Sequence, residues 1–213
     1  MKTPAKPLER AVVFIDGNNC YHQLKDKGVG RLRELSYAKV SEKLVGARNW
    51  VGTRFYIGQV RNEGNTKLYD EQRIYLAFLQ ACDPRVTVHL GRLESHKQQN
   101  PLAVRLKRYM ADLKIRIDIN VFKDLVAIGN AMEYETITQE KAVDVALAVD
   151  LVMMAHKNEY DAAFVLSADG DFTPAVKAAM DIGKKVFAAS PGNGAQLAAI
   201  VTKFIPLPPS FFG

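Results

Sequence analysis

Short unbroken apolar runs alternate along this chain with longer amphipathic segments. Residues 11–15 (AVVFI) form one such run, and it meets Asp16-Gly17-Asn18-Asn19, a cluster that breaks regular structure. An apolar run closed by Asp-Gly predicts a strand buried on both faces, the signature of a parallel sheet. TRFYIGQV within residues 51–60, RVTVHLGRL at 85–93, DAAFVLS at 161–167 and KVFAA at 185–189 predict four more strands. Helical patterns fill the intervals: 21–27, 36–47 behind Ser36, 66–81 up to Cys82-Asp83-Pro84, 101–114 with Pro101 in its first turn, and 139–157. In 101–114, Leu102, Leu106, Tyr109 and Leu113 share one stripe. Two more helices are expected, from a Thr173-Pro174 cap to near Gly183 and over 196–201. Residues 117–128 fit strand or helix equally. The closing FIPLPPSFFG is too rich in proline for a helix and is expected to lie along the surface or against a partner. Strand-helix alternation of this kind predicts an α/β fold around a mostly parallel sheet. Asp16 then stands at the carboxyl end of a buried strand, the edge at which open α/β sheets bind ligands.

Composition narrows this picture modestly. The chain has 213 residues, 48% hydrophobic and 24% charged, which suits one ordinary globular domain with a full core. Its formal charge of +6 makes an anionic partner plausible without requiring one. Most of the basic excess lies in about residues 97–130, where Lys97, Arg105, Lys107, Arg108, Lys114, Arg116 and Lys123 cluster. That segment reads as an amphipathic helix with a solvated charged face, or as a nucleic-acid surface contacted first by Arg105, Lys107 and Arg108. The two cysteines, Cys20 and Cys82, stand in unrelated contexts, so neither a zinc site nor a disulfide framework is expected. No signal-peptide core and no apolar run near the roughly 20 residues of a membrane span is present, and a cytoplasmic protein without membrane contact is expected. An amphipathic stripe and the Phe211-Phe212 tail leave room for a homodimer.

The candidate chemistry lies in carboxylates. Asp16 follows the first strand, Asp169 and Asp171 follow the fourth, and Asp144 lies on the helix before it. Strands one and four can be neighbours at the switch point of a doubly wound sheet, so these acids can converge. Gathered carboxylates repel one another and resist desolvation; a hard divalent ion such as Mg²⁺, which prefers oxygen ligands, relieves both. Each acid also has a plainer role. Asp16-Gly17 can be a turn, and Asp171 can serve the dipole of the following helix. Asp144 sits among Ala142, Val143, Val145 and Ala146, so it is expected to be partly buried, with Lys141 as a candidate ion-pair partner. Asp150, six residues on, projects about 120° away around the helix and is read as an outer supporting or structural residue. The histidines His22, His89, His96 and His156 show no paired metal-ligand spacing, and there is no P-loop, GxGxxG or GxSxG.

Together, FIDGNN (14–19), EKAVDVALAVD (140–150) and SADGDFTP (167–174) resemble the NYN family, the LabA-like branch of the PIN-like nucleases. The resemblance implies a Rossmann-like, PIN-like α/β/α sandwich and a Mg²⁺- or Mn²⁺-dependent ribonuclease. By position it makes Asp16, Asp144 and Asp169 metal-binding acids and Asp171 a fourth acid or water-holder. It places Asn19 against substrate or a ligand water and lets Ser167 support the loop. Ala168 stands where the family usually has the first glycine of SGDGDF, and both acids remain. The expectation is therefore an RNA phosphodiesterase with a divalent cation. A non-catalytic RNA- or protein-binding module and a small-molecule phosphohydrolase are the alternatives.

Overall fold

A computed structural model of the protein describes residues 7–30, 32–60, 66–113 and 118–212. Its chain forms two compact units, one of Met1–Arg92 with Lys141–Gly213 and one of Leu93–Glu140. In chain order the elements are β1 (Arg10–Asp16), α1 (Gly17–Asp26), α2 (Tyr37–Val45), β2 (Asn49–Gln59), α3 (Thr66–Cys82) and β3 (Val86–Gln99). There follow α4 (Pro101–Leu113), α5 (Ile119–Ala131), β4 (Tyr134–Lys141), α6 (Val143–His156) and β5 (Ala162–Leu166). The chain closes with α7 (Thr173–Asp181), β6 (Lys185–Ser190), α8 (Ala195–Ala198) and β7 (Lys203–Pro206).

The larger unit is built on six parallel strands in the order β3-β2-β1-β5-β6-β7. β1 is central, and alternate residues feed two cores, as the twofold period of a strand requires. Ala11, Val13 and Ile15 point to one face, where Leu24 of α1, Val40 and Leu44 of α2 and Leu79 of α3 cover them. Val12 and Phe14 point to the other, against Leu147 and Leu151 of α6 and Val176 of α7. Helices on both faces of a parallel sheet make the α/β fold that the pattern predicts and the Rossmann-like sandwich that the family resemblance implies. At the amino edge the sheet is tied by charge: Arg10 Nη2 lies 2.8 Å from Asp161 Oδ1 and Arg48 Nε 3.0 Å from Glu9 Oε2. Hydrogen bonds from the Arg10 side chain and backbone hold the Asp161 carboxyl down at about 2. None of the described helices is long and apolar enough to cross a membrane.

In the smaller unit α4 and α5 pack together and the end of β3 neighbours β4. The segment 117–128, open between strand and helix, is helical from Ile119 and capped by Asp118, whose carboxylate accepts from the Asn120 and Val121 backbone N–H groups. Lys114 and Arg116 lie outside the described residues. The expected stripe of α4 is shifted: Leu102 and Tyr109 are exposed, whereas Ala103 and Met110, seven residues apart, are buried.

Other elements also depart from expectation. α1 begins at Gly17 rather than at Tyr21, because Asp16 itself caps it. Residues 139–141 belong to β4, so α6 starts only at Val143, behind Ala142 in the left-handed region at φ 70°. Thr173 is the first residue of α7 and not its cap; the short 3₁₀ turn Gly170–Phe172 runs directly into the helix. The proline-rich end joins the fold. β7 pairs with β6 at the sheet edge, where Pro206 ends the strand, and Leu207 and Phe212 are buried. An edge strand tolerates proline that a central strand would not.

Candidate functional site

The register fixes where the acids meet. Ile15 of β1 lies opposite Leu166 of β5, so the residues that follow, Asp16 and Ser167, emerge side by side at the carboxyl edge. Asp16 is 4% exposed and spends both carboxylate oxygens on order. Its Oδ1 accepts from the Asn19 backbone N–H at 3.0 Å, capping α1, and its Oδ2 accepts from Ser167 Oγ at 3.1 Å. Ser167 Oγ accepts in turn from the Asp169 backbone N–H at 3.1 Å. Asp169 Oδ1 accepts from the Asp171 N–H at 2.9 Å, so the second acidic loop is wound around its own carboxylate. Asn19 Oδ1 closes the circuit by accepting from the Ala168 N–H at 3.4 Å. The Gln196 side chain lies over Gly170, so a Cβ there would have to push its exposed amide aside.

Asp144 comes to this edge on the first turn of α6. It is exposed and not half-sunk as its apolar neighbours suggest, because Val145 and Ala146 face solvent beside it. Packing around it, and then the charges of Asp169 and Asp171, hold its pKa above the ordinary carboxylate value. The Lys141 side chain lies outside the described residues, so its pairing with Asp144 goes undescribed. Among the described residues Asp144, Asp169 and Asp171 form no ion pair. Asp16, Ser167, Asn19 and Asp169 are thus joined by hydrogen bonds, and Asp144 is joined to Asp169 and Asp171 by repulsion.

Asp150 belongs elsewhere. Its Oδ2 accepts from Tyr56 Oη at 2.7 Å and from Arg54 Nη1 at 3.0 Å, while the His89 ring stacks on Tyr56 with centroids 4.8 Å apart. Burial, followed by the Arg54 charge, lowers the His89 pKa and favours the neutral ring. Positions 54 and 56 share one face of β2 and His89 is the β3 partner of Tyr56. That period-two relation is present in the sequence, yet only the strand register reveals the cluster.

The basic candidates belong to the smaller unit. Arg105 and Arg108 are exposed on α4, whereas Lys107 is half-buried and pairs with Glu133 at 2.7 Å. A second feature escaped the sequence reading. Beside Gly17 and Asn18, on the other side of the β1–α1 turn from Ser167, lies an aromatic-walled cavity. Its residues come from α1, α2, β2 and α3, so no local motif announces it.

Among the described residues no three Asp, Glu, His or Cys side chains form a ready cation cage. The donor set nonetheless fits Mg²⁺ or Mn²⁺. All its side-chain donors are hard carboxylate or hydroxyl oxygens, no ion pair to Asp144 is formed among the described residues, and Mg²⁺ ordinarily uses one or two carboxylates plus waters and substrate phosphate.

A Rossmann-like sheet with acids gathered at its carboxyl edge defines the class of α/β domain to which this protein belongs. The family model of the NYN domain matches residues 10–208, and the chain belongs to the NYN domain family. Among solved structures, a protein of unknown function from Vibrio parahaemolyticus RIMD 2210633, VPA0982, superposes with a TM-score of 0.57 at 13% identity, covering 96% of each chain. That similarity establishes the shared fold. A chain from a structural study of the mechanism and regulation of Sir2 enzymes aligns at TM-score 0.41 and 10% identity, over 95% of this chain and 88% of that one. So weak a likeness carries no argument. No curated protein sequence matches the chain. Membership of the NYN family gives the protein a nuclease-like, RNA-related character.

Proposed function

We propose that the protein is a ribonuclease that hydrolyses RNA phosphodiester bonds with the help of Mg²⁺ or Mn²⁺. The observation that carries the proposal is the gathering of carboxylates at the carboxyl edge, where packing, and then the charges of Asp169 and Asp171, raise the pKa of Asp144. Asp16, Asp144 and Asp169 would hold the ion. When bound, such an ion makes a hydroxide from water near neutral pH and offsets charge on the phosphate.

The protein's own residues supply position. Asn19 N–H and Ser167 Oγ fix the plane of the Asp16 carboxylate, so it would meet an ion already oriented. Asp171, on the first turn of the 3₁₀ segment, would accept a proton from a water. The Asn19 side chain would face the phosphate or a water beside it. Arg105, Lys107 and Arg108 would attract the RNA backbone, with Arg105 and Arg108 the more available because Lys107 is tied to Glu133. Such attraction weakens as salt rises.

A second reading is a non-catalytic RNA- or protein-binding module, favoured by the absence of a ready cation cage among the described residues. Labelled single-stranded and structured RNAs, incubated with Mg²⁺, Mn²⁺ or chelator, separate the two. Cleavage that needs the metal and is lost in Asp16→Asn supports the nuclease. Intact RNA bound with unchanged affinity in all three conditions supports the module.

A further inference from the structure

The aromatic cavity encloses about 240 Å³. Tyr37 and Phe55 form its buried wall, with ring centroids 4.9 Å apart, and Tyr75 meets Phe55 edge-on at 6.4 Å. Tyr21 of α1 and Leu68 of α3 stand at its mouth, 41% and 44% exposed. The polar groups around it divide sharply. Gln72 is committed to the fold: its Oε1 accepts from the Val60 N–H and its Nε2 donates to the Gly58 carbonyl, both at 2.8 Å. Asn18 instead sits exposed on the rim with an amide that can donate and accept.

Location ties the cavity to the acids. Gly17 lines it, and Gly17 directly follows Asp16, so their Cα atoms are about 3.8 Å apart. A Cβ on Gly17 would come within 2.6 Å of the Phe55 ring and 2.8 Å of the Tyr56 carbonyl oxygen. The turn carrying the buried acid is therefore pressed against the aromatic wall, and no side chain intervenes. Size and chemistry narrow the occupant. The space falls below the roughly 300–1,000 Å³ of sites for drug-sized ligands, which leaves room for a single small ring system. Flat aromatic walls with one amide at the rim suit a planar heterocycle that stacks and pairs along an edge.

We propose that this cavity receives one unpaired nucleobase of the RNA, belonging to a nucleotide next to the phosphate addressed by the acids. The proposal rests on the nuclease reading for its choice of RNA, and it adds that the substrate must be single-stranded at that nucleotide. A base inside a duplex cannot enter a walled pocket without being unstacked.

The test uses ligand-detected NMR with adenosine, guanosine, cytidine and uridine, which carry no phosphate and so do not need the acids or a metal. Saturable binding is expected in the wild type and, unchanged, in Asp144→Asn. It is expected to weaken at least about tenfold in Leu68→Trp, which places bulk across the mouth, and in Tyr21→Ala, which removes an exposed wall; either variant suffices if the other fails to fold. In the same way, an RNA with one abasic nucleotide at the cleaved step should bind at least about tenfold more weakly than its intact counterpart. Toluene binding as tightly as the nucleosides would overturn the proposal, as would RNA cleavage with no nucleoside bound, and the latter leaves the nuclease reading standing. Nucleoside binding that Leu68→Trp abolishes, in a protein that cleaves nothing, would uphold the pocket and remove the nuclease.

Discussion

Two aspartates six residues apart on α6 meet opposite environments. Asp150 is satisfied by Tyr56 and Arg54, beside a His89 ring held neutral. Asp144, one and two-thirds turns earlier, faces Asp169 and Asp171, and its pKa is raised. Same helix, same side chain, opposite outcomes. A carboxylate that fastens α6 to β2 arrives with its counter-charge supplied by the fold. Asp144 meets further carboxylates instead, and no ion pair to it is formed among the described residues. The amino edge of the sheet follows the first pattern, with Arg10 on Asp161 and Arg48 on Glu9, and the carboxyl edge follows the second.

Exchanging the two acids for amides should break this comparison cleanly. Asp144→Asn should lower the metal-dependent cleavage rate by about 10²–10³-fold, the loss typical of removing one group that stabilises transition-state charge. Its melting temperature without metal should not fall. Asp150→Asn should do the reverse. Weakening hydrogen bonds to a half-buried charge costs about 1–3 kcal/mol, or roughly 2–4 °C in melting temperature per kcal/mol for a chain of this size, with most of the cleavage rate retained.

Titration sharpens the contrast further. Folding raises the Asp144 pKa above its ordinary 3.8, so the folded state holds that proton more tightly than the unfolded state. Its contribution is present below about 3.8 and is lost as pH rises through the folded value. Above that point the ionised group burdens the metal-free protein, and Mg²⁺ should raise the wild-type melting temperature more than that of Asp144→Asn. His89 has the opposite sign: its folded pKa lies below 6.5. Stability from the neutral ring is present above 6.5 and lost as pH falls through the folded value. His89→Gln should flatten that part of the melting-temperature profile while leaving the Asp144 part intact.

A smaller effect concerns the backbone that delivers Asp144. Ala142 holds φ 70°, where a Cβ costs about 1–2 kcal/mol. Ala142→Gly should stabilise the protein by about 1 kcal/mol or less, since glycine also frees the unfolded chain. Calorimetry checks it.

Strands buried on both faces were legible because their apolar runs are unbroken, and β1, β2, β5 and β6 stand within two residues of where the sequence puts them. β4 was hidden because TITQEK reads as the polar lead-in to a helix, and only the left-handed Ala142 separates the two. The proline-rich tail looked peripheral because pairing with β6 depends on a partner distant in sequence. For the acids, the sequence showed which carboxylates follow which strands. It could not show that Ser167 bridges Asp16 to Asp169, nor that Asp150 faces Arg54, because both depend on strand register. The aromatic cavity was illegible for the same reason, its walls drawn from four elements.

The most direct test is single-turnover cleavage of one labelled RNA by wild type, Asp144→Asn and Asp150→Asn, each with Mg²⁺ and with chelator. Metal-dependent cleavage lost in Asp144→Asn and largely kept in Asp150→Asn is the predicted result. Equal cleavage by both variants, or cleavage indifferent to the chelator, would contradict the division of labour between the two acids.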